Sequence, residues 1–355
     1  MKARIVIGAN YGDEGKGTVV ANYTKKSNNV VNVLTNGGAQ RGHSILTKDG
    51  SVTFQHFGSG TYHGADTYYS RYFIINPMQF VAEYEKLLVK PSMIFRDWWC
   101  RWSTPYDSMA NLISEQQKGR HASCCMGIWN TIKRTKELGF MPFDDFLAYN
   151  LGGQLEYLKV VREYYEKNLT IPESWKSIWS DPMIAVHFIS DCKFMNSHTV
   201  SANLSNLREY DNLIFENGQG LLLCDTGKDT YDTTPSNTGI EYAKHMLKEL
   251  GVDDITAHYV TRPYLTRHGD GYLFNESARG FVSSGVEEDR TNHFNDGQGE
   301  FRYGLLDIGN LSERVVKDAG DVKFEIELTH CDEMDRVSEF RKVFGHVNTY
   351  DSPLV

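Results

Sequence analysis

No run of about 18 apolar residues, the length that spans a lipid bilayer, occurs in this 355-residue sequence. Its six cysteines include no C-x-x-C pair, so neither a zinc site nor a disulfide framework is indicated. Basic residues are outnumbered by acidic ones, and the formal charge of -9 argues against binding to duplex nucleic acid. Because the chain enters an apolar stretch at once and has no signal-peptide layout, we expect a cytoplasmic protein with free thiols and no membrane partner.

No segment rich in proline, serine or glycine divides the chain, so we expect residues 1–355 to form one α/β domain. Apolar segments typical of strands alternate with helical patterns, which predicts a mostly parallel central sheet flanked by helices. The predicted strands are residues 3–7, 30–35, 71–75, 93–96, 212–216, 255–261 and 322–328. The predicted helices include residues 78–89, 154–168, 239–250 and 332–344, and residues 98–181 are predicted to form a mainly helical insertion.

The first predicted strand continues into a glycine-rich loop at residues 8–18. Closely spaced glycines allow backbone N–H groups to face an anion, Lys16 adds a positive charge, and a helix begins directly afterwards. The loop departs from the Walker A pattern, because the glycine expected six positions before Lys16 is Asn10. The pattern favours a site for nucleotide phosphates, and the alternative is that the glycines only form a turn.

A second glycine-rich loop, residues 36–44, follows the next predicted strand and contains His43. A single histidine is more often structural than catalytic. Ligands of parallel sheets, however, bind in the crevice where loops leave neighbouring strands at their carboxyl ends. The two loops therefore predict one site that contains Asp13, Lys16 and His43.

These two loops resemble those of the adenylosuccinate synthetase family, which read Gly-Asp-Glu-Gly-Lys-Gly and Ala-Gly-His-Thr. The first pattern is intact at residues 12–17, and the second corresponds to residues 41–44. The likeness continues at residues 216–220, 234–238 and 265–271, where the family has Glu-Gly-Ala-Gln-Gly, Thr-Ser-Ser-Asn-Thr and Ser-Thr-Arg-Val-Gly-Ala-Gly. Five blocks in the same order cover most of the chain, which argues against chance.

The resemblance implies a P-loop-type fold and a ligase that uses a nucleoside triphosphate to form a C–N bond on a purine mononucleotide. In the implied mechanism Asp13 takes the N1 proton of the purine, and O6 then attacks the γ-phosphate of GTP or ATP. Lys16 and His43 stabilise the transferred phosphoryl group, and Mg²⁺ is held by Asp13 and the carbonyl of Gly42. An amine, that of L-aspartate in the family, then displaces phosphate from C6.

Matching positions imply the binding residues for each substrate. For the nucleoside triphosphate they are Gly12, Asp13, Glu14, Gly15, Lys16, Gly17, Thr18, Gly42, His43, Ser44 and Asp332. For the acceptor purine nucleotide they are Asn10, Gln40, Ser123, Cys124, Asn217, Gln219 and Thr234. For the amino-acid donor they are Arg267 and Arg302.

Two blocks depart from the family pattern. Met126 stands where the family has an arginine near the acceptor phosphate, although Ser123 still offers a hydroxyl. In the segment of residues 295–307, Arg302 remains where the family has a pair of arginines, and Glu300 has entered. Either Arg302 and Arg267 together hold aspartate, or the amino donor has changed.

Near the carboxyl terminus, Asp332 follows an apolar strand and matches the family's aspartate that accepts hydrogen bonds from the guanine of GTP. The flanking family residues are absent, so the sequence leaves ATP and GTP open. Asp332 is equally a good N-cap for the helix predicted over residues 332–344.

The loops also resemble those of the compact phage branch of the family, PurZ, which aminates a guanine nucleotide on the way to 2-aminoadenine DNA. This chain retains Asp13, which much of that branch replaces with serine. The resemblance favours GMP or dGMP as the acceptor, with IMP as the alternative, and Asn217 or Ser236 as a hydrogen-bond acceptor for the 2-amino group. For a phage-encoded member the compartment would be the host cytoplasm.

A homodimer is also implied, because the family completes its acceptor site with an arginine of the partner subunit. Arg134, on the helix predicted after Gly127, is the nearest candidate for that role. The rival from another functional class is a nucleotide-binding protein without ligase activity. The presence of Asp13, Lys16 and His43 together counts against such a loss.

Overall fold

The computed structural model describes residues 1–47, 50–118, 123–224, 233–286, 289 and 299–351. Its strands are β1 (Lys2–Gly8), β2 (Val30–Leu34), β3 (Gly37–Gly38), β4 (His43–Thr47), β5 (Gly50–Phe54), β6 (Asp66–Tyr69), β7 (Phe73–Ile75), β8 (Ile94–Asp97), β9 (Arg101–Trp102), β10 (Val200–Ala202), β11 (Asn212–Gly220), β12 (Ile255–Thr261), β13 (Leu265–His268), β14 (Glu276–Ser277), β15 (Phe301–Gly304), β16 (Phe324–Leu328) and β17 (Val347–Thr349). Its α-helices are α1 (Lys16–Lys25), α2 (Pro77–Tyr84), α3 (Pro105–Lys118), α4 (Ile128–Leu138), α5 (Phe143–Ala148), α6 (Leu151–Asn168), α7 (Glu173–Trp179), α8 (Pro182–His198), α9 (Glu241–Leu250), α10 (Arg279–Val282), α11 (Ile308–Ala319) and α12 (Val337–Phe344).

A nine-stranded sheet in the order β10-β8-β6-β2-β11-β1-β12-β16-β17 forms the centre of the molecule. All of its neighbouring strands are parallel. The strand predicted over residues 255–261 is found with those bounds, as β12. The prediction of a mostly parallel sheet flanked by helices is confirmed.

The central strands are apolar on both faces because helices cover both sides of the sheet. On one face Val6 of β1 packs with Val19 and Val20 of α1. On the other face Ile5 and Ile7 belong to the large core that includes residues of α9 and α11. Since alternate side chains of a strand point to opposite faces, the run of apolar residues in β1 serves two cores.

The strand predicted over residues 71–75 is found in part, but it does not belong to the central sheet. Phe73–Ile75 forms β7 in a separate three-stranded sheet, whereas β6 takes the place beside β2. The sequence did not predict β6, because tyrosine has both an apolar ring and a polar hydroxyl and does not mark a buried strand. Tyr68 and Tyr69 are nevertheless fully buried. The Tyr68 hydroxyl donates to Asp97, and the Tyr69 hydroxyl contacts His56 Nδ1 at 2.9 Å.

Helices α3 to α7 fall within residues 98–181, and α8 extends the helical region to His198. Asp181 caps α8 by accepting a hydrogen bond from the Met183 N–H, with proline at the first helical position. Trp102 anchors this region, 2% exposed and with its ring 4.7 Å from that of Phe146. Among the described helices, none has both the length and the apolar character needed to cross a membrane.

Loops from the middle of the sheet meet at its carboxyl edge. Thr329, just after β16, donates a hydrogen bond to the Glu14 carbonyl in the loop after β1. Leu222, just after β11, donates its N–H to the Asn10 carbonyl. The two glycine-rich loops and the chain beyond β11, β12 and β16 are therefore held together where parallel sheets bind their ligands.

Candidate active site

A cleft of about 250 Å³ opens at this carboxyl edge, between the two glycine-rich loops, the end of β11 and the start of α4. The predicted site residues that line it are Gly12, Asp13, Gln40, Gly42, His43, Ser123, Cys124, Gln219, Thr234 and Arg267. The predicted site residues outside this lining are Asn10, Glu14, Gly15, Lys16, Gly17, Thr18, Ser44, Asn217, Arg302 and Asp332. Residues of both predicted loops thus line one cleft, and the predicted set also includes residues that lie behind its surface.

The first loop holds an anionic group of its own chain. Glu14 is buried, and its Oε1 accepts hydrogen bonds from the N–H groups of Asn10, at 3.1 Å, and Gly12, at 2.8 Å. Lys16 Nζ donates to the Gly12 carbonyl at 2.6 Å and lies 3.8 Å from Glu14 Oε2. The N–H groups of the loop are thus oriented toward an anionic oxygen, as a phosphate-binding loop requires.

Glycines fix the shape of this loop. Gly12 has a φ of +109°, and a Cβ there would lie 3.0 Å from the Gln219 Cα. Gly15, at the start of α1, has a φ of +90°. Residues with a side chain rarely adopt such a backbone, so Asp13 stands between two positions that only glycine occupies without strain.

Burial raises the pKa of Asp13 to about 7, and the neighbouring Glu14 charge acts in the same direction. The charges of Arg262 and Lys16 oppose this rise. A carboxyl group whose pKa lies near neutrality can accept a proton in one state and release it in another. Asp13 thus has the environment of a general base.

For Lys16, burial is the main cause of a lowered pKa.

His43 lies beside a buried carboxylate. Its Nδ1 is 2.5 Å from Glu216 Oε1, and both side chains are almost completely inaccessible to solvent. Burial, together with the charges of Arg41 and Lys16, lowers the pKa of His43 to about 3. His43 is therefore neutral near pH 7, with the Nδ1 proton donated to Glu216 and Nε2 free of that proton.

Four donors converge on the Glu216 carboxylate. Besides His43, Arg41 Nη2 lies 3.1 Å from Oε1, the Ser59 hydroxyl donates to Oε1, and the Ser59 N–H donates to Oε2. Burial alone would raise the pKa of Glu216, but the Arg41 charge and the hydrogen bonds of His43 and Ser59 lower it to about 2. Glu216 is thus a fixed anion that orients the imidazole.

Sequence reasoning did not assign Glu216 or Arg41 to the site. The signal available was an acidic residue at the end of an apolar strand, residues 212–216, because a buried carboxylate requires a charged or hydrogen-bonding partner. The partner could not be identified, since His43 is 173 residues away in sequence.

Two residues predicted to contact the acceptor nucleotide, Asn10 and Asn217, form hydrogen bonds with other protein groups in this structure. Asn10 Nδ2 donates to the Thr261 hydroxyl, and its Oδ1 accepts from Arg314 at 2.6 Å. Asn217 Nδ2 donates to the carbonyls of Thr238 and Gly239.

Two residues predicted to bind the nucleoside triphosphate, Thr18 and Ser44, lie within α1 and β4. The Thr18 hydroxyl is buried in α1 and makes no hydrogen bond within the described residues. Ser44 on β4 bonds to the Thr53 hydroxyl across the hairpin.

Residues 123–129 contribute one wall of the cleft. Asn111 of α3 accepts hydrogen bonds from the Ser123 hydroxyl and the Gly127 N–H, both at 3.1 Å, and so fixes this segment. Nothing in the sequence indicated this role for Asn111. Trp129 of α4 lines the cleft and is 47% exposed, so this wall is more apolar than the family pattern implies.

The glutamine residues of the cleft have particular geometry. Both amide atoms of Gln40 are buried and have no hydrogen-bond partner within the described residues. Gln219 has a φ of +66°, a conformation that costs free energy for a residue with a side chain and that is typical of functional sites. Both side chains line the cleft and could contact a ligand.

The two predicted donor-site arginines are opposite each other on β13 and β15. Arg267 lines the cleft, with its guanidinium 5.1 Å from the centre of the Tyr11 ring. Arg302 instead donates to the carbonyls of Gly269 and Gly271 and pairs with Glu276. The structure therefore brings Arg267 into the cleft and leaves Arg302 outside it. Residues 295–298 of the predicted donor segment lie outside the described residues.

Asp332 is exposed in the turn after β16. Its alternative interpretation as a helix N-cap is wrong, because α12 begins at Val337 and the residue at the N-cap position is Arg336. The helix predicted from residue 332 is therefore shorter.

Arg134 is unsuited to reach a partner subunit. It is 1% exposed and pairs through Nε and Nη2 with Asp107 of its own chain, at 2.8 and 3.0 Å. The Tyr165 hydroxyl also donates to Asp107. Arg134 is a buried structural residue of the helical region.

The donor set of the cleft fits Mg²⁺. This ion prefers oxygen ligands, and the Asp13 carboxylate and the neighbourhood of the Gly42 carbonyl both belong to the cleft lining. A second set of potential metal ligands, His258, Glu325 and Glu327, lies elsewhere, on β12 and β16. Its central carboxylate, Glu327, already accepts hydrogen bonds from several protein groups, including Tyr23 and Tyr350.

Comparison with known proteins gives concordant results. The family model described as adenylosuccinate synthetase matches residues 5–343. The adenylosuccinate synthetase of Finegoldia magna is 26% identical over 336 residues, which cover 89% of this chain and 76% of that protein. The enzyme of Microcystis aeruginosa is 24% identical over 281 residues, and the match spans only 61% of its length.

Two solved structures share the fold. The fully ligated adenylosuccinate synthetase of Plasmodium falciparum gives a TM-score of 0.68 at 20% identity and covers 95% of this chain and 78% of its own. The succinoaminodeoxyadenylate synthetase PurZ of cyanophage S-2L, bound to dGMP and to dATP as an energy donor, gives a TM-score of 0.67 at 12% identity. That match covers 99% of this chain and 92% of the phage protein.

Proposed function

Because the chain belongs to the adenylosuccinate synthetase family of C–N ligases, we propose that it aminates a guanine mononucleotide, dGMP or GMP. It would phosphorylate O6 with GTP or ATP and condense C6 with L-aspartate to give an N6-succino-2-amino-(deoxy)adenylate, a precursor of 2-aminoadenine DNA. The observation that carries the proposal is the presence of Asp13, with its pKa near 7, in one cleft with the His43–Glu216 pair.

In the first step Asp13 accepts the N1 proton, so that negative charge moves to O6 and O6 attacks the γ-phosphate. A pKa of about 7 suits this task. Near neutral pH the carboxyl group is ionised in a large fraction of the protein molecules, and its carboxylate is still basic enough to take a proton. His43 presents Nε2 to the phosphoryl group. When the anionic nucleotide binds, Nε2 takes up a proton from water and donates a hydrogen bond to a phosphoryl oxygen, while Glu216 stabilises the imidazolium. Mg²⁺ held by Asp13 and the Gly42 carbonyl would neutralise charge on the phosphate oxygens.

Lys16 completes the phosphate site. At present its ammonium group donates to the Gly12 carbonyl, beside Glu14. A phosphate at the loop would compete with Glu14 for the N–H groups of Asn10 and Gly12 and for the charge of Lys16. We therefore propose that nucleotide binding displaces the Glu14 carboxylate from the loop.

The preference for guanine is supported by the shared fold with the dGMP-bound phage enzyme. The unpaired amide of Gln40 is available for hydrogen bonds to the acceptor nucleotide. Asn217 and Ser236 are outside the cleft lining, although Asn217 Oδ1 is a buried acceptor without a partner within the described residues. IMP remains the alternative acceptor, as in the relatives named for adenylosuccinate synthesis.

The donor is proposed to be L-aspartate held by Arg267, which is the predicted arginine that reaches the cleft. A homodimer is part of the same proposal, with a contact to the acceptor phosphate supplied by the partner. Light scattering of the purified protein would test this assembly.

The test of function is phosphate release by the purified protein with Mg²⁺, L-aspartate and either GTP or ATP, with dGMP, GMP and IMP compared as acceptors. A product of the mass of a succinylated 2-aminopurine nucleotide would support the proposal. Turnover with IMP alone would replace it by adenylosuccinate synthesis. Absence of turnover with all three acceptors would contradict ligase activity with aspartate, and replacing aspartate by other amino acids would then test a changed donor.

Gly12→Ala is expected to lower kcat/KM by about 100-fold, because a shift of the loop of about 1 Å is enough for such a loss. The added Cβ would meet the Gln219 backbone at 3.0 Å and would force the loop away from β11. Gly64→Ala is the matched control, since Gly64 has a φ of +81° with no atom within 4 Å of the added Cβ. The control should cost stability but leave kcat/KM unchanged, and equal kinetics for the two variants would refute the assignment of the loop.

A further inference from the structure

Arg262, the first residue after β12, is 4% exposed and directs its guanidinium nitrogens to three different groups. Nε donates to the backbone carbonyl of Asp13 at 2.7 Å. Nη2 pairs with Asp289 Oδ2 at 2.5 Å, and Nη1 donates to the Tyr264 hydroxyl at 3.2 Å. One buried side chain thus connects the proposed general base to two other segments of the chain.

The position of this guanidinium is tightly fixed. Its carbon lies 5.7 Å from the ring centres of both Tyr264 and Phe301, and the Tyr264 hydroxyl donates in turn to Glu333. Asp289 supplies the opposite charge that a buried arginine requires. The planar fork of arginine holds all these contacts at once, whereas a lysine would make only some of them.

The loop needs such an anchor. Because Gly12 and Gly15 flank Asp13 and Glu14, the backbone on both sides of this pair is intrinsically free to rotate. The side chains of Arg262 and Thr329 hold the two consecutive carbonyls, those of Asp13 and Glu14. Rotation of the Asp13 peptide would break the contact with Arg262.

We propose that Arg262 is a positioning residue for Asp13: it holds the Asp13 carbonyl so that the carboxylate faces the acceptor nucleotide. The inference rests on the proposed function for the role of Asp13, but the anchoring contact itself does not. Asp289 and Tyr264 contribute by fixing the guanidinium. General bases act only within hydrogen-bond reach of the proton they take, so a small rotation of this peptide would slow the reaction.

Kinetics of three variants test the positioning role. In Arg262→Met/Asp289→Asn both buried charges are removed together, so that no unpaired carboxylate is left. This variant should lose about 100-fold in kcat while the KM values for acceptor and nucleotide stay within about threefold. Arg262→Lys should recover at least tenfold of that loss, because an ammonium group can still donate to the Asp13 carbonyl.

Arg336→Met is the matched control. Arg336 donates to the Pro263 and Leu306 carbonyls in the same region, and its ion pair is with Glu339 of its own helix region and not with the Asp13 loop. Its removal should leave kcat within twofold of the wild type. An unchanged kcat in the folded double variant, or a rise in KM without a fall in kcat, would overturn the proposal.

Hydrogen exchange followed by mass spectrometry tests the anchor without turnover. Peptides that cover residues 8–17 should exchange faster in Arg262→Met/Asp289→Asn than in the wild type, and at the wild-type rate in Arg336→Met. A wild type without ligase activity but with this exchange pattern would refute the proposed function and keep the anchor. Unchanged exchange in the double variant would refute the anchor.

Discussion

Asp13→Asn is expected to lower kcat by about 10³-fold, the size of effect that loss of a general base produces. Asparagine preserves the shape of the side chain but cannot take the N1 proton. Because the Asp13 carbonyl still accepts a hydrogen bond from Arg262, the loop should keep its position. Single-turnover phosphate release with dGMP, and binding of the nucleoside triphosphate by calorimetry, would separate loss of chemistry from loss of binding.

The same variant should be more stable than the wild type above pH 7. Burial raises the pKa of Asp13 from 3.8 to about 7, so the folded protein binds a proton that the unfolded chain has already released between these values. The free energy of unfolding of the wild type therefore falls as the pH rises from about 4 to about 7. Asparagine has no such dependence, and its advantage should disappear below pH 4.

Thermal unfolding at pH 4, 6 and 8 would measure this difference. Asp253→Asn provides a control, since Asp253 is exposed just before β12 and outside the cleft. The control should match the wild type in kcat and in the pH dependence of unfolding. A kcat within tenfold of the wild type for Asp13→Asn would contradict the mechanism, whatever its stability.

The two glycine-rich loops could be predicted from the sequence because their residue pattern is local. Residues 3–18 combine a strand, spaced glycines and a lysine in one contiguous segment, and each of these features has a direct physical role. The strand over residues 255–261 was likewise predicted with its observed bounds, because it is rich in β-branched and aromatic residues. The structure of such segments is determined mainly by residues adjacent in sequence, so it can be predicted without knowledge of distant contacts.

The partners of these loops could not be predicted, because they depend on contacts between distant segments. Glu216 and Arg262 act on His43 and Asp13 through contacts that span 173 and 249 residues. Asn10 matched a family position for the acceptor, yet its amide is used by Thr261 and Arg314. A side chain's own type and its neighbours in sequence do not show which of these roles it takes.

Glu216→Gln is expected to lower kcat by about 10⁴-fold, the effect of a carboxylate-to-amide change beside a catalytic histidine. Three hydrogen bonds, from His43 and Ser59, and an ion pair with Arg41 converge on the two carboxylate oxygens. An amide has one acceptor oxygen and places a donor in the other position. Either the Ser59 N–H loses its acceptor or the amide N–H group faces His43 Nδ1, and in both cases the imidazolium loses the carboxylate that stabilises it.

The loss of stability should be largest near neutral pH. Removing one partner of a buried ion pair leaves Arg41 unpaired, which costs about 3–5 kcal/mol. The pKa of Glu216 is lowered to about 2, so its contribution to stability is complete above about pH 4.5 and is lost as the pH falls through 2. Urea unfolding at pH 7 and pH 3 should therefore show a larger difference between variant and wild type at pH 7.

Glu327→Gln is the control that separates the loss of stability from the loss of kcat. Glu327 is also fully buried on a central strand and is also hydrogen-bonded to a histidine, with His258 Nδ1 at 2.7 Å from its Oε1, but it is outside the cleft lining. This control should lose stability and keep kcat, because its histidine faces no substrate. If Glu216→Gln and Glu327→Gln lost equal stability and equal activity, Glu216 would be a structural carboxylate only. A loss of turnover confined to Glu216→Gln would instead support the role of Glu216 in orienting His43 for the reaction.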